Sequence, residues 1–454
     1  MTVVAEPTAE TGGVLSPQYR ALTVGMVALI TLVAFESLAV ATAMPTVAQA
    51  LDGLNLYALA FGGPLASGVV AMVVSGTWSD LKGPTRPLWH GTAWFLGGLL
   101  IAGLAPSMEI LVVGRIIQGY GAGLLTVALY VVVGHLYPAR LRPPIFAAFA
   151  AGWVVPSLVG PAIAGLIVEH ASWRIVFLAV PVIAVPAALV MRPGLARGTT
   201  YDVRDGKLWD KRAMWSLAAA VGVGLLHYGG QQRGVVQIAL LVVGLAGVVV
   251  FGPKLLPSGT FTFGRGLPSV IALRGLVAAA GFGAEVFLPL MLTRERGLSP
   301  ALAGLVLTIS GVSWSAASWY RGRPKQPFSH AVFLQAGMLA ILLGIATAVL
   351  TLHPNVPVVV GVLGWALAGL GMGTVFPTLS VLALEYSERD EQGANSSALQ
   401  LSDSLSTATI LAIGGSLFAA LEPHSAVTAF LVAFGLPALL ALLGVPAGRR
   451  TARA

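Results

Sequence analysis

The chain contains no cysteine, and only 10% of its 454 residues are charged. The first absence excludes disulfide staples, thiolate metal sites and cysteine nucleophiles. The second excludes a soluble globular fold, because such domains carry roughly 25% charged residues. No G-x-x-x-x-G-K-[ST] loop occurs, so nothing points to direct ATP coupling. The histidines do not cluster at metal-ligand spacing; His90, His135, His170 and His353 fall near the ends of apolar runs, and His227 lies just inside one. An enzyme needs a convergent nucleophile or metal set and a sensor needs a soluble output domain. Neither is present, so no catalytic residue, metal or cofactor is expected.

What is abundant is apolar sequence: 56% of residues are hydrophobic and the mean hydropathy is +0.86. A helix needs about 20 apolar residues to cross a bilayer. Apolar runs of that kind lie near 20–44, 57–79, 88–106, 109–136, 144–168 and 173–192. A charged stretch, GLARGTTYDVRDGKLWDKR, follows, then two shorter runs near 213–228 and 234–252. Six more lie near 268–292, 300–320, 329–351, 356–384, 394–420 and 425–446. The expected fold is therefore an all-α polytopic membrane protein of fourteen spans. It divides into an N-terminal six-helix bundle (1–192), a charged loop with two extra transmembrane helices (193–267) and a C-terminal six-helix bundle (268–454). The first run is longer than the roughly 7–15 residues of a signal-peptide core, so it is expected to stay as a span.

Charge asymmetry orients these spans. With the N-terminus inside, cytoplasmic segments carry most of the 26 Lys+Arg, including Arg140, Arg142, Arg197, Lys254, Arg265, Lys325, Arg449, Arg450 and Arg453. The outside holds only Arg233, Arg294 and Arg296. Such a bias places both termini in the cytoplasm. It also accounts for the net charge of +8 without nucleic acid. Six spans, an insert and six spans indicate an internal duplication, a plan that secondary transporters use with the substrate site between the halves. The best correspondence between the halves is a glutamate in the outer third of each first helix, Glu36 and Glu285.

Acids inside spans are costly, at roughly 2.5–3.5 kcal/mol each on insertion scales, and they mark ion or substrate paths or polar helix contacts. Glu36, Glu285 and Asp403 are the acids in question. By depth, Glu36 shares the outer half of the membrane with Arg115. Glu285 lies eleven residues beyond Arg274, about three turns on one helical face, with Ala278 and Gly281 between them. Arg274 is expected either to line that face or to snorkel to the interface. Ser396, Gln400, Asp403 and Thr407 form one polar face on their span. Glu36, Arg115, Glu285, Asp403, Arg274 and Gln400 are thus the candidate proton-coupling or substrate-binding residues.

Loop and helix motifs resemble the major facilitator superfamily. GTWSDLKGPTR (76–86) is similar to the family's G-x-L-A-D-R-x-G-R-K loop, with Gly76, Asp80, Gly83 and Arg86 in place and Trp78 and Pro84 departing. RIIQGYGAG (115–123) resembles R-x-x-Q-G-x-G-x-G, whose arginine the family links to proton transfer. PSLVGPAIAG (156–165) resembles the exporter motif G-x-x-x-G-P-x-x-G-G, with Gly160 and Pro161 at its centre. Glu36 stands nine residues before Pro45, as an acid does in the fourteen-span drug:proton antiporter branch. In the second half SWYRGRPKQP has Arg321 where the gate acid is expected. The resemblance implies two bundles rocking about a central cavity, with Asp80, Gly83, Arg86, Gly160 and Pro161 in gating. It implies proton-driven export of lipophilic or cationic small molecules from a bacterial cytoplasmic membrane, by a monomer whose partners are protons, substrate and lipid. Export of an endogenous lipid or metabolite by the same fold is the alternative.

Overall fold

The computed structural model describes residues 12–53, 56–196, 204–230, 232, 234–298, 300–323 and 326–452. Arg197, Arg233, Lys325 and Arg453 lie outside them. Among the described residues the regular structure is helical throughout. The α-helices are α1 (Arg20–Ala50), α2 (Tyr57–Lys82), α3 (Thr85–Gly103), α4 (Met108–Leu136), α5 (Arg142–His170) and α6 (Trp173–Ala196), then α7 (Lys211–Gly229) and α8 (Gly234–Leu255). The remainder are α9 (Leu267–Glu285), α10 (Phe287–Arg294), α11 (Pro300–Arg321), α12 (His330–Leu350), α13 (Val358–Glu385), α14 (Gln392–Leu421) and α15 (Ala426–Arg450).

Each expected apolar run holds helix, yet not every helix qualifies as a span. Eleven are long and apolar enough to cross a membrane, or twelve if the bent α5 counts as one. Fourteen spans are not confirmed by this length-and-composition test among the described residues, because α3 and α7 fall short of it. Both are 19 residues long. α3 opens on TRPLWH and α7 on KRAMWS and closes on HYG, so polar turns dilute the apolar stretch. Two further departures have backbone causes. The run 268–292 is interrupted between α9 and α10 at Val286, because Pro289 has no N–H for the Glu285 carbonyl four residues back. The segments Ala139–Ser157, which begins in a short 3-10 turn just before α5, and Ala162–His170 meet at 41° around Gly160 and Pro161, where a glycine–proline pair is the expected cause of a kink.

One packing scheme occurs twice. α4 packs on α3 and α2, α1 on α5 and α6, and α3 on α6. In the second set α13 packs on α12 and α11, α9 on α14 and α15, and α12 on α15. The close approaches depend on GYGAG (119–123) in α4 and GLGMG (369–373) in α13, where backbones meet without intervening side chains. A Cβ on Gly121 would strike the Phe95 amide of α3, and one on Gly371 would strike the Gly337 carbonyl of α12. α7 and α8 stand outside this scheme, packed on each other, on α2 and on α14. α8 fully buries only Gly244, Val248, Gly252 and Leu255, a single stripe flanked by half-buried Leu241, Leu245 and Phe251. The two sets meet through α2 with α14, α5 with α11 and α13, and α4 with α14.

Gly121→Ala and Gly371→Ala should each destabilise the purified protein by about 1–3 kcal/mol, the usual cost of overpacking, read as a lower thermal unfolding midpoint in detergent. Gly97→Ala, whose Cβ would meet nothing within 4 Å, should leave the midpoint unchanged or raise it slightly.

Candidate functional site

Glu36 and Arg115 lie side by side in the first set. Glu36 on α1 is 4% exposed and Arg115 on α4 is 6% exposed. The Arg115 guanidinium donates from Nη1 to Glu36 Oε1 and to Gln118 Oε1. Its Nε donates to the Ala60 carbonyl of α2 at 3.3 Å. One cation therefore joins three helices, and its neighbours are the small residues that let those helices converge. Gln118 was legible only as part of the R-x-x-Q-G stretch; its role as an acceptor for Arg115 requires the folded helix.

In the second set the partner of Arg274 is Asp403, not Glu285. Arg274 is 4% exposed within α9, which corrects the snorkelling alternative. Its Nε and Nη2 both donate to Asp403 Oδ2, at 2.9 and 2.7 Å. Nη1 reaches the Phe376 carbonyl at 3.3 Å and Ser380 Oγ at 3.2 Å, and Nη2 reaches Gln400 Oε1 at 3.4 Å. The guanidinium also lies over the Phe376 ring, 4.2 Å from its centroid. Tyr130 of α4 interacts with it from across the seam between the sets. Asp403 keeps its second oxygen, Oδ1, buried without a hydrogen-bond partner among the described residues. Ser380, Phe376 and Tyr130 carried no sequence signal, since a lone serine or aromatic within a span is ordinary core.

Glu285 stands apart. It is half-buried at the end of α9, and no hydrogen bond or ion pair to its carboxylate occurs among the described residues. Aligning GYGAG with GLGMG sets Trp365 of α13 where α4 has Arg115, and Trp365 is fully buried. The likeness of Glu285 to Glu36 thus ends at position, because no cation stands at that register. One turn below Glu285, Phe282 packs with Trp314 and Phe376, at centroid distances of 6.1 and 5.9 Å, and Trp314 meets Phe376 at 5.2 Å. This aromatic group touches Arg274 through Phe376 and extends along α9 towards Glu285. A free carboxylate beside aromatic faces is chemistry that suits a lipophilic cation.

The gate residues separate into those that bridge the sets and those that do not. Asp80, near the end of α2, accepts from the backbone amides of Gly393 at 2.6 Å and Ala394 at 2.7 Å. These are first-turn donors of α14, so the carboxylate caps a helix of the other set and meets its positive dipole end. Gly83 ends α2 with φ of 78°, a conformation that favours glycine. Arg86 is exposed and makes no such bridge. Beside the cap, Arg204 links the sets again: its amide donates to the Leu81 carbonyl at 2.9 Å and its Nη1 to Asp390 Oδ2 at 2.7 Å. That hydrogen bond holds the Asp390 carboxyl below its ordinary range. In the second half Arg321 stays within its own set, donating to Thr378 Oγ1 at 2.9 Å and lying over the Phe333 ring. Gly160 is buried beside Phe35 and Leu38 of α1; the side chain of Pro161 is outside the described residues.

Similar proteins agree with this architecture. The Major Facilitator Superfamily profile matches residues 26–362. A multidrug transporter of Bacillus subtilis, MdtP, is 25% identical over 398 residues, covering 84% of this chain and 71% of its own. A probable multidrug-efflux transporter of Mycobacterium tuberculosis is 28% identical over 403 residues, 84% of each chain. The multidrug efflux pump SdrM of Staphylococcus aureus is 23% identical, covering 80% of this chain and 81% of its own. Among solved structures, the human organic anion transporter MFSD10 superposes with a TM-score of 0.70 at 14% identity, over 94% of this chain and 99% of its own. The proton:xylose symporter XylE gives 0.66 at 14% identity, over 93% and 94%. A helical multi-pass chain whose packing scheme repeats, and most of whose length matches this profile, belongs to the major facilitator superfamily, a class of transporters and not of enzymes.

Proposed function

We propose that the chain is a proton-coupled exporter of lipophilic or cationic small molecules, of the fourteen-span drug:proton antiporter kind. Its working parts are an N-terminal bundle (1–192), an insert with two extra helices (193–267) and a C-terminal bundle (268–454). It works as a monomer in a bacterial cytoplasmic membrane, with both termini in the cytoplasm and the proton gradient as its energy source. The observation that carries this reading is the distribution of buried charge: an acid–arginine pair in each set, Glu36 with Arg115 and Asp403 with Arg274, and an unpartnered acid, Glu285. The names of the multidrug relatives support the substrate class.

The mechanism follows from what burial does to a carboxyl group. Burial favours its neutral form, whereas a nearby cation or water favours the ionised form. Rocking of the bundles alternates the access of these acids, so each can take a proton on one side and release it on the other. Glu36 with Arg115, and Asp403 with Arg274 and Gln400, are the coupling groups. Glu285 with the Phe282, Trp314 and Phe376 rings recognises the substrate. The Asp80 cap on α14 holds the cytoplasmic side closed, and the α5 bend at Gly160 and Pro161 lets α5 follow the movement.

In proteoliposomes, Glu36→Gln should abolish substrate-driven proton release while expression and folding persist; full antiport in that variant rejects the coupling role. Glu36→Ala, which leaves Arg115 buried with its charge unpaired, should cost about 3–5 kcal/mol of stability, seen as a lowered unfolding midpoint. Glu285→Gln should weaken binding of a lipophilic cation and spare neutral substrates, as measured by equilibrium binding of both. The chain has no cysteine, so a single Ser397→Cys reports on the α2–α14 contact. Adding Asp80→Asn to it should speed maleimide labelling about tenfold or more, since hydrogen bonds to charged groups contribute roughly 1.5–3 kcal/mol.

A further inference from the structure

A cavity of about 620 Å³ lies between the turn that precedes α9 and the end of α15. Its lining is Thr262, Phe263, Gly264, Arg265, Arg449, Arg450 and Ala452, with three arginines and no acid. Arg265, Arg449 and Arg450 are exposed. None of the three guanidinium groups is in an ion pair among the described residues. Only Arg450 makes a side-chain hydrogen bond, a long one of 3.5 Å to the Thr262 carbonyl. The walls are held together: the Gly266 amide donates to the Arg450 carbonyl at 2.9 Å, and Gly264 closes the turn onto the Gly259 carbonyl at 2.9 Å.

Like charges gathered on a small concave surface repel one another unless an anion lies between them. Planar guanidinium groups suit a phosphate oxygen pair in particular. The depth of the cavity identifies the source. The turn follows directly from α8, whose Lys254 lies over the rings of Trp215, 5.6 Å from the centroid, and Phe251, 4.9 Å. Tryptophan and lysine in contact at helix ends mark the headgroup layer. The cavity therefore sits at headgroup level, on the face that carries the basic bias.

We propose that this cavity binds the phosphate of an anionic phospholipid from the cytoplasmic leaflet. Arg265 lies in the turn that leads into α9, and Arg449 and Arg450 end α15, which packs on α9, so a lipid headgroup there braces the start of α9 two turns from Arg274. The inference does not depend on the transported substrate or on proton coupling.

Native mass spectrometry of the full chain, released from neutral detergent with added dioleoyl-phosphatidylglycerol or dioleoyl-phosphatidylcholine, tests it. The wild type should retain phosphatidylglycerol in preference to phosphatidylcholine. Basic residues at a membrane surface contribute about fivefold each to binding an anionic lipid, so Arg265→Gln, Arg449→Gln and Arg450→Gln together should weaken one lipid equivalent on the order of a hundredfold. The corresponding triple lysine variant should keep most of that binding, which separates loss of charge from loss of fold. Equal retention of the two lipids, or unchanged phosphatidylglycerol binding in the glutamine triple, overturns the proposal. Displacement of phosphatidylglycerol by inorganic phosphate that binds equally well alone also overturns it, because the site then reads a free anion and not a lipid.

Discussion

The cost of placing charge in a hydrocarbon layer governs this structure. An arginine or carboxylate within a span must find a partner, reach the interface or face a wet cavity. Arg115 and Arg274 do the first, and each gathers its ligands from several helices. The pairs therefore act as joints as well as candidate chemical groups. To separate either pair without water or substrate to replace it leaves a buried charge, so each pair resists helix movement electrostatically. Glu285 is the exception: no ion pair to its carboxylate occurs among the described residues.

Close backbone packing supplies the second constraint. Helices in a bilayer gain little from hiding apolar side chains from lipid, so they associate through small residues and polar contacts. GYGAG and GLGMG do the same work in the two sets, with alternate glycines facing different neighbours. Glu36 and Glu285 were the evident correspondence in the sequence, but these glycine stretches are the better register. They show that the halves share a scaffold and not a site: Arg115 stands at the register of Trp365, and the second set places its arginine on α9 instead.

The contact between the halves is asymmetric for a related reason. Asp80 can cap α14 because its helix end meets the exposed amides of another helix's first turn. The equivalent loop of the second half has Arg321, and a cation has no attraction for a helix N-terminus. It turns back to Thr378 and the Phe333 ring. One capped helix, with Arg204 and Asp390 beside it, joins the halves at this face.

Composition and hydropathy by themselves determined a helical multi-pass chain and the place of each apolar helical stretch, though not the break between α9 and α10, because twenty apolar residues in a row have few other stable fates. They also located the costly charges and, through spaced glycines and the Asp80 loop, the family. The count of fourteen spans is not confirmed by helix length and hydropathy, since polar turns at the ends of α3 and α7 shorten an apolar run without stopping a helix. Pairing was decided only by tertiary structure. Depth brought Glu36 to the level of Arg115, but the sequence left Arg274 between lining its helix face and snorkelling to the interface. The choice of Asp403 depends on how α9 and α14 rotate against each other, and that rotation is set by packing across many residues far apart in the chain.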